Sequence, residues 1–204
     1  SAQTHLTLTW EADLKVEALG PWPGTAAKQA LSLDLGDLTK TQTLDLLLRV
    51  RFPAGAKNTD CPLKVVVNDG DRRLAEAQIH WTWVDSATRH AQPRHTEVEH
   101  RFAGHLAHQA RRVAVLLNRD GQLDQAREHL LKAAQRIRAE AGDPPQTLAL
   151  AAALEAETER HRTALSPREI KEQISRSESL LRGRGQDGAR LRINQKPRLQ
   201  YLPV

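Results

Sequence analysis

The chain of 204 residues contains no methionine and a single cysteine, Cys61. A lone cysteine excludes an internal disulfide, so we expect a reducing compartment and a cytoplasmic protein. The absence of methionine, the initiator included, predicts a processed or excised piece of a longer protein. No apolar run approaches the roughly 18 residues that a membrane-spanning helix needs, and we identify no signal peptide, so no membrane span is predicted in this chain.

Aromatic residues are scarce as well, and the excess of positive charge is confined to one end. Hydrophobic residues make up 39% and charged residues 27% of the chain, which is ordinary for a globular protein. The formal net charge is +5, and residues 165–204 hold nine basic and four acidic side chains, whereas residues 1–95 and 96–164 are each balanced. The charge therefore describes a basic tail and excludes a uniformly basic domain.

The first 95 residues alternate between apolar and polar side chains in six segments. Alternation with one apolar face predicts antiparallel strands that are half buried. Six such strands need a second layer to cover their apolar face, which predicts a two-sheet β-sandwich over residues 1–95. The stretch 68–71, Asn-Asp-Gly-Asp, is the strongest hairpin signal. The six segments are HLTLTW (5–10), DLKVEAL (13–19), LSLDL (31–35), TLDLLLRVRF (43–52), LKVVV (63–67) and AQIHWTWV (77–84).

The period changes to three or four residues near residue 96, which predicts a helical bundle over 96–182. Two amphipathic helices flank Gly121, whose position suits a turn with positive φ. A third helix is expected from Pro145 to about Arg162. The fourth begins at Ser166-Pro-Arg-Glu169, a capping box with proline at the first helical position.

One part of the bundle resembles a tetratricopeptide hairpin. Gly121, Ala126, Leu130 and Ala133 match the spacing of that repeat. Since 34 residues later the register falls on AETERHRT, which has no glycine, a repeat array of about three copies is excluded. We therefore expect an α+β protein: an antiparallel β-sandwich followed by a helical bundle with one tetratricopeptide-like hairpin.

Three longer phrases carry a second resemblance. ALSLDLGDLTKTQTLDLLLRVRFPAG (30–55), PLKVVVNDG (62–70) and RRVAVLLNRDGQLDQAREHLLKAAQRI (111–137) resemble the region that follows the A domain in bacterial von Willebrand factor A domain-containing proteins. The resemblance implies a β-sandwich with a helical region after it, acting as an accessory module. The metal-binding loop of the A domain, Asp-x-Ser-x-Ser, does not occur, and Asp85-Ser-Ala-Thr88 fails its spacing. No metal ligand, catalytic residue or cofactor is therefore carried over.

Other residues that bear chemistry allow plainer interpretations. Cys61 has no His-Asp arrangement pointing to it, and an incidental or buried thiol is favoured. Trp81 and Trp83 are placed for core packing more than for a ligand platform. Five histidines crowd one segment: His90, His95, His100, His105 and His108. His105 and His108 are three residues apart on a helix and could meet a metal together, but the five-residue spacing scatters the others around the helix. Solvated or hydrogen-bonded histidines are therefore favoured over a metal site.

The tail, residues 183–204, offers the candidate binding residues: Arg190, Arg192, Arg198 and Tyr201. Its alternation of Leu191 and Ile193 with arginines predicts an extended segment that adds to a sheet edge, in its own chain or a neighbour's. We expect a non-enzymatic interaction or assembly module that binds a protein partner or a second subunit and accompanies an A domain absent from this chain. The alternative is nucleic-acid binding through the arginines. Aromatic side chains that could stack on bases would support this alternative, but the tail has only Tyr201.

Overall fold

The protein is α+β: antiparallel strands come first in the chain, and the long helices follow them. The structure, a computed structural model, describes residues 3–38, 44–140 and 144–181, with side chains as far as Ser177. Two compact units are present, and the chain passes from the first to the second between Pro93 and Arg94. The boundary expected from the sequence lay between His95 and Thr96, and the finer domain assignment remains a prediction.

Seven strands and one short helix make up the described part of the first unit. Five strands form an antiparallel sheet in the order β3-β4-β1-β6-β7, and β2 pairs with β5 in a separate two-stranded sheet. The elements are β1 (Thr4–Trp10), β2 (Lys15–Leu19), β3 (Gly24–Ala27), β4 (Ala30–Gly36), β5 (Leu47–Arg51), β6 (Asp60–Asp69), β7 (Arg72–Thr82) and α1 (Ser86–His90).

Alternation of side chains builds the core of this unit. Leu6, Leu8 and Trp10 of β1 are buried on one face, while Thr7 and Thr9 are not. The same face of the five-stranded sheet contributes further leucines, and apolar side chains of β2 and β5 pack against them. The period-two predictions for these strands are confirmed. The packed set includes Leu31, Leu33, Leu35, Cys61, Leu63 and Trp81, with Val16, Ala18, Leu48 and Val50 from the smaller sheet.

Two details of the strands differ from expectation. The strand β3 was not predicted, because all four of its residues are exposed and no apolar alternation marks it. Pro62 was placed before a strand, but it lies inside β6. Proline is tolerated there since pairing of β6 with β1 ends at Leu63, so a missing N–H on that side leaves no ladder bond unmade.

The predicted hairpin at Asn68–Asp71 is confirmed with a loop of two residues. Asp69 of β6 pairs with Arg72 of β7, and Gly70 in the loop has a φ of 58°. Glycine reaches that left-handed conformation without a steric penalty.

Four α-helices and a 3₁₀ turn form the described part of the second unit. They are α2 (Thr96–Arg119), α3 (Leu123–Glu140), α4 (Pro145–Glu157), the 3₁₀ turn Thr158–Arg162 and α5 (Pro167–Leu181). Gly121 joins α2 to α3 with a φ of 78°, as its position predicted. The third predicted helix is shorter than expected, because its last five residues tighten into the 3₁₀ turn.

Small side chains let these helices approach closely. Ala103, Ala107, Ala110 and Ala114 of α2 are buried together with apolar residues of α3 and α4. The capping box of α5 is present: the Glu169 backbone N–H donates to Ser166 Oγ at 3.3 Å, and the Ser166 N–H donates to Glu169 Oε2 at 2.9 Å. The buried partners from α3 and α4 are Ala126, Leu130, Ala134, Ile137, Ala151 and Leu154.

Candidate interaction surface of the first unit

The strand β7 is the longest in the protein's described part and lies at the end of its sheet. It spans eleven residues and is hydrogen-bonded to β6 on one side. Among the described residues, no strand pairs with its other side. The side chains of Arg72 through Gln78 are all exposed. A long edge of this kind presents backbone N–H and C=O groups that can pair with another extended chain.

An apolar surface lies beside this edge. Cross-strand partners point to the same face of a sheet, and the pair Cys61–Trp81 fixes which face of β6 and β7 is turned to the core. On that face, side chains of β7 become more exposed toward the hairpin, and the side chain of Ile79 is already 37% exposed. We call the exposed set the β7 shelf; it comprises Ala75, Ala77 and Ile79, beside the partly buried Val65 and Val67 of β6.

The shelf follows from the unequal sizes of the two sheets. Strands β2 and β5 have five residues each, so two short strands are set against five. Val65 and Val67 still pack against the core cluster, but Ala75 and Ala77 beside them are exposed. The hairpin half of β7 is therefore left exposed on this face, while Trp81, nearer the other end of the strand, is buried.

The opposite face of β6 and β7 carries charged side chains, with Val66 of β6 between them as the cross-strand partner of Glu76. Lys64 Nζ lies 2.7 Å from Glu76 Oε1, and Arg73 Nη1 lies 2.6 Å from Glu76 Oε2. The hydrogen bond from Lys64 is the main reason that the pKa of Glu76 is lowered, so this carboxylate remains charged. Asp60 Oδ2 and His80 Nδ1 are 2.8 Å apart on the same face. An added strand would thus meet apolar side chains on one face and charges on the other.

An aromatic pocket opens where β7 ends. The rings of Phe52 and Trp81 meet edge to face with centroids 5.1 Å apart, and Phe52 and Trp83 do so at 6.2 Å. Trp83 Nε1 donates to the Pro53 carbonyl at 3.1 Å. The cavity has a volume of about 240 Å³, and Arg89 and Gln92 also border it. Room for one or two apolar side chains is therefore available next to the β7 edge.

Gly55 explains how the Pro53–Gly55 loop can close over the tryptophan. A Cβ built on Gly55 would lie 2.3 Å from Trp83 Cε2, a distance that real side chains do not reach. Only glycine permits this approach. Core packing was favoured for both tryptophans, and the structure agrees: Trp81 is buried and Trp83 is half buried against the core cluster.

Asp85 holds the far wall of the pocket. Its Oδ1 accepts a hydrogen bond from the Thr88 N–H at 2.8 Å, which caps α1, and its Oδ2 lies 2.7 Å from Lys57 Nζ. The hydrogen bond from Lys57, followed by those from Thr88, lowers the pKa of Asp85 well below its usual range. The residue nearest to an adhesion-type metal loop in the sequence thus acts as a helix cap.

The remaining residues considered from the sequence have structural surroundings. Cys61 is fully buried, and burial, with a smaller contribution from Asp60, raises the pKa of its thiol. His95 Nδ1 accepts from the Val98 N–H at 3.4 Å and caps α2. Within residues 3–38, 44–140 and 144–181, no three His, Cys, Asp or Glu side chains come together as metal ligands.

The residues expected to bind a partner, Arg190, Arg192, Arg198 and Tyr201, lie outside the described residues, as does the whole tail from 183 to 204. The β7 shelf was missed from the sequence. Its residues fall in segments that were predicted correctly as strands, but alternation alone does not show how far the second sheet extends over them. None of the helices within residues 3–38, 44–140 and 144–181 combines the length and the apolar composition of a membrane span.

Comparison with known proteins finds similarity to a solved structure. No family model matches the sequence, and no curated protein does. A solved structure, von Willebrand factor type A from Catenulispora acidiphila, aligns with a TM-score of 0.45 and 15% sequence identity over 81% of this chain. This chain spans less than half of that one, since the alignment covers 46% of it.

Proposed function

We propose that the chain is a non-enzymatic assembly module whose β7 edge receives an extended segment from a second copy. The observation that carries this proposal is the long, exposed edge of β7 with the apolar β7 shelf beside it. Strand addition supplies backbone hydrogen bonds along the edge, and alternate side chains supply specificity. The shelf provides the apolar half of that pattern, and the ion pairs around Glu76 provide the polar half.

The segment that we assign to this edge is 189–204, ARLRINQKPRLQYLPV. In an extended strand Leu191 and Ile193 lie on one face and Arg190 and Arg192 on the other. The first pair suits the apolar shelf, and the second would lie on the opposite face, where Lys64 and Arg73 already pair with Glu76. Leu199 and Tyr201, beyond Pro197, are large enough to fill the aromatic pocket. The finer features expected from the sequence belong to the same proposal: the two sheets form the layers of a sandwich, and α2 with α3 forms a tetratricopeptide-like hairpin.

In the parent protein the module accompanies a von Willebrand A domain that this chain lacks. What supports this part is the resemblance of residues 30–55, 62–70 and 111–137 to the region after such domains. Assembly through the module would then place two A domains in one particle and raise their avidity for a repeated ligand.

Light scattering on three variants tests the assembly. The full chain should have the mass of a dimer or larger, and truncation after Arg182 should give a monomer. Ala77→Glu should also give a monomer, because it sets an unpaired carboxylate on the shelf. Gln78→Glu is the matched control, since its side chain points to the polar face, and it should leave the mass unchanged. A full chain that is monomeric over the accessible concentration range contradicts the proposal.

A further inference from the structure

A cleft in the second unit carries a different kind of site. It lies between the segment after the 3₁₀ turn and one face of α5, and its volume is about 630 Å³, which is within the range of pockets that hold small ligands. Glu169, Glu172, Gln173 and Arg176 line it from α5; their spacing of three, four and seven residues sets them on one face. Arg160 borders the cleft from the 3₁₀ turn.

The opposite wall is fixed by a buried amide. Asn118, which is 2% exposed at the end of α2, donates from Nδ2 to the Thr163 carbonyl at 3.0 Å and accepts the Leu165 N–H on Oδ1 at 2.8 Å. Both residues line the cleft. Because the amide holds the backbone on both sides of Ala164, this wall is formed before any ligand arrives.

The acidic side chains of the cleft are already occupied. Glu169 accepts from the Ser166 hydroxyl at 2.6 Å, and this bond is the main cause of its lowered pKa. Glu172 Oε1 accepts from Arg168 Nε at 2.9 Å. Glu172 is therefore paired with a cation, whereas Glu169 keeps its negative charge, because its partners are a neutral hydroxyl and a backbone N–H.

The basic side chains are in the opposite situation. Among the described residues, neither Arg160 nor Arg176 makes a hydrogen bond or an ion pair. Their positive charges nevertheless lower the pKa values of neighbouring groups. His108, on α2, has its pKa lowered to about 4, chiefly by burial and then by the positive charges of Arg111 and Arg176. The positive charge of Arg160 likewise contributes to lowering the pKa of Glu169.

We infer that this cleft binds a small molecule carrying two acidic groups, carboxylate or phosphate, one held by Arg160 and the other by Arg176. Arg160 and Glu169, near the start of α5, both line the cleft, and Arg176 lies seven residues after Glu169, or roughly 10 Å farther along the helix axis. A guanidinium offers paired N–H donors in the geometry of both kinds of oxyanion. The volume leaves room for a ligand that bridges the two arginines.

Heteronuclear NMR on the full chain, with pyrophosphate and citrate as probes and sodium chloride at matched ionic strength, tests the site. We expect saturable shifts of backbone signals in residues 160–176 with one probe or both. If only pyrophosphate acts, the ligand class is phosphorylated, and if only citrate acts, it is a carboxylic acid. Arg160→Gln and Arg176→Gln should each weaken binding on the order of tenfold, as the loss of a charge-assisted hydrogen bond implies.

Arg162→Gln is the matched control. Arg162 lies in the same 3₁₀ turn but already pairs with Glu159, with Nε and Oε2 2.8 Å apart, so its loss should leave the affinity unchanged. All three variants should melt within a few degrees of the parent chain, because these arginines are exposed. The inference is overturned if neither probe shifts these signals, or if Arg162→Gln weakens binding as much as the other two.

Discussion

At the scale of single residues, buried polar groups determine how the second unit is held together. Asn118 satisfies a backbone carbonyl and a backbone N–H that have no helical partner, and it does so from inside the packed helices. The sequence shows only an asparagine near the end of an amphipathic helix, where a capping role would be the usual interpretation. Its cross-helix bonds depend on where the chain returns 45 residues later, which periodicity does not encode.

We expect Asn118→Ala to destabilise the protein by about 2–3 kcal/mol, because it leaves two backbone groups without partners and opens a small cavity. Chemical denaturation monitored by circular dichroism measures this loss. Gln135→Ala, on the exposed face of α3, should change the unfolding free energy by less than about 0.5 kcal/mol. Similar values for the two variants would mean that the amide does not hold the 163–165 segment in solution.

His108 predicts a dependence of stability on pH. Its pKa is about 4 in the folded chain, against an ordinary value of 6.5. As the pH falls below 6.5, the unfolded chain takes up a proton that the folded chain does not accept until about pH 4. Stability is therefore lost across this window. His108→Gln should flatten the fall in unfolding free energy between pH 6.5 and 4.

The flattening should be partial, since burial also lowers the pKa of His129 and His161, which act in the same direction. Guanidinium unfolding at several pH values measures the slope. An equal slope in His108→Gln and the parent chain would show that His108 is solvated in the folded state.

At the scale of elements, hydrophobic period identified most strands and helices, and the exceptions have physical reasons. The alternation at Leu6, Leu8 and Trp10 and the capping box at Ser166 appear in the structure as the sequence predicts. The strand β3 was not identified from the sequence, because it is held by backbone pairing with β4 and buries no apolar side chain of its own. A pattern built on burial cannot detect such a strand.

Substituting alanine for Gly24 and for Gly104 should change the stability of the protein in opposite directions. A Cβ on Gly24 would lie 2.4 Å from the Ser32 carbonyl oxygen, so Gly24→Ala must push β3 away from β4 and should destabilise by about 1–3 kcal/mol. Gly104 lies within α2, where a Cβ would meet nothing within 4 Å. Gly104→Ala should therefore stabilise by about 0.5–1 kcal/mol.

Thermal unfolding of the two variants, compared with that of the parent chain, measures the sign of each change in stability. A neutral Gly24→Ala would mean that β3 is not paired to β4 in solution. A destabilising Gly104→Ala would mean that another part of the protein packs against that face of α2.

At the scale of the molecule, the fold class could be predicted from the sequence, whereas most of the candidate sites could not be predicted from it. Alternation and helical period separate a β part from a helical part, and each depends on neighbours in the chain. The β7 shelf depends instead on the small area of the β2–β5 sheet, and the Arg160–Arg176 cleft depends on the path of the chain around Asn118. Both are relations between distant segments, and their residues look like ordinary solvated strand and helix positions when taken one by one.

If β7 receives residues 189–204 of another copy, a tail and an edge supplied by two different variants should complement each other. Full-length Ala77→Glu has a tail but a blocked edge, while the chain truncated after Arg182 has an open edge but no tail. Each should be monomeric alone. Mixed in equal amounts, they should form a one-to-one complex of dimer mass in light scattering, held by a single tail and weaker than the parent assembly. If the mixture stays monomeric while the parent chain assembles, the tail does not join copies through β7, and the account is wrong.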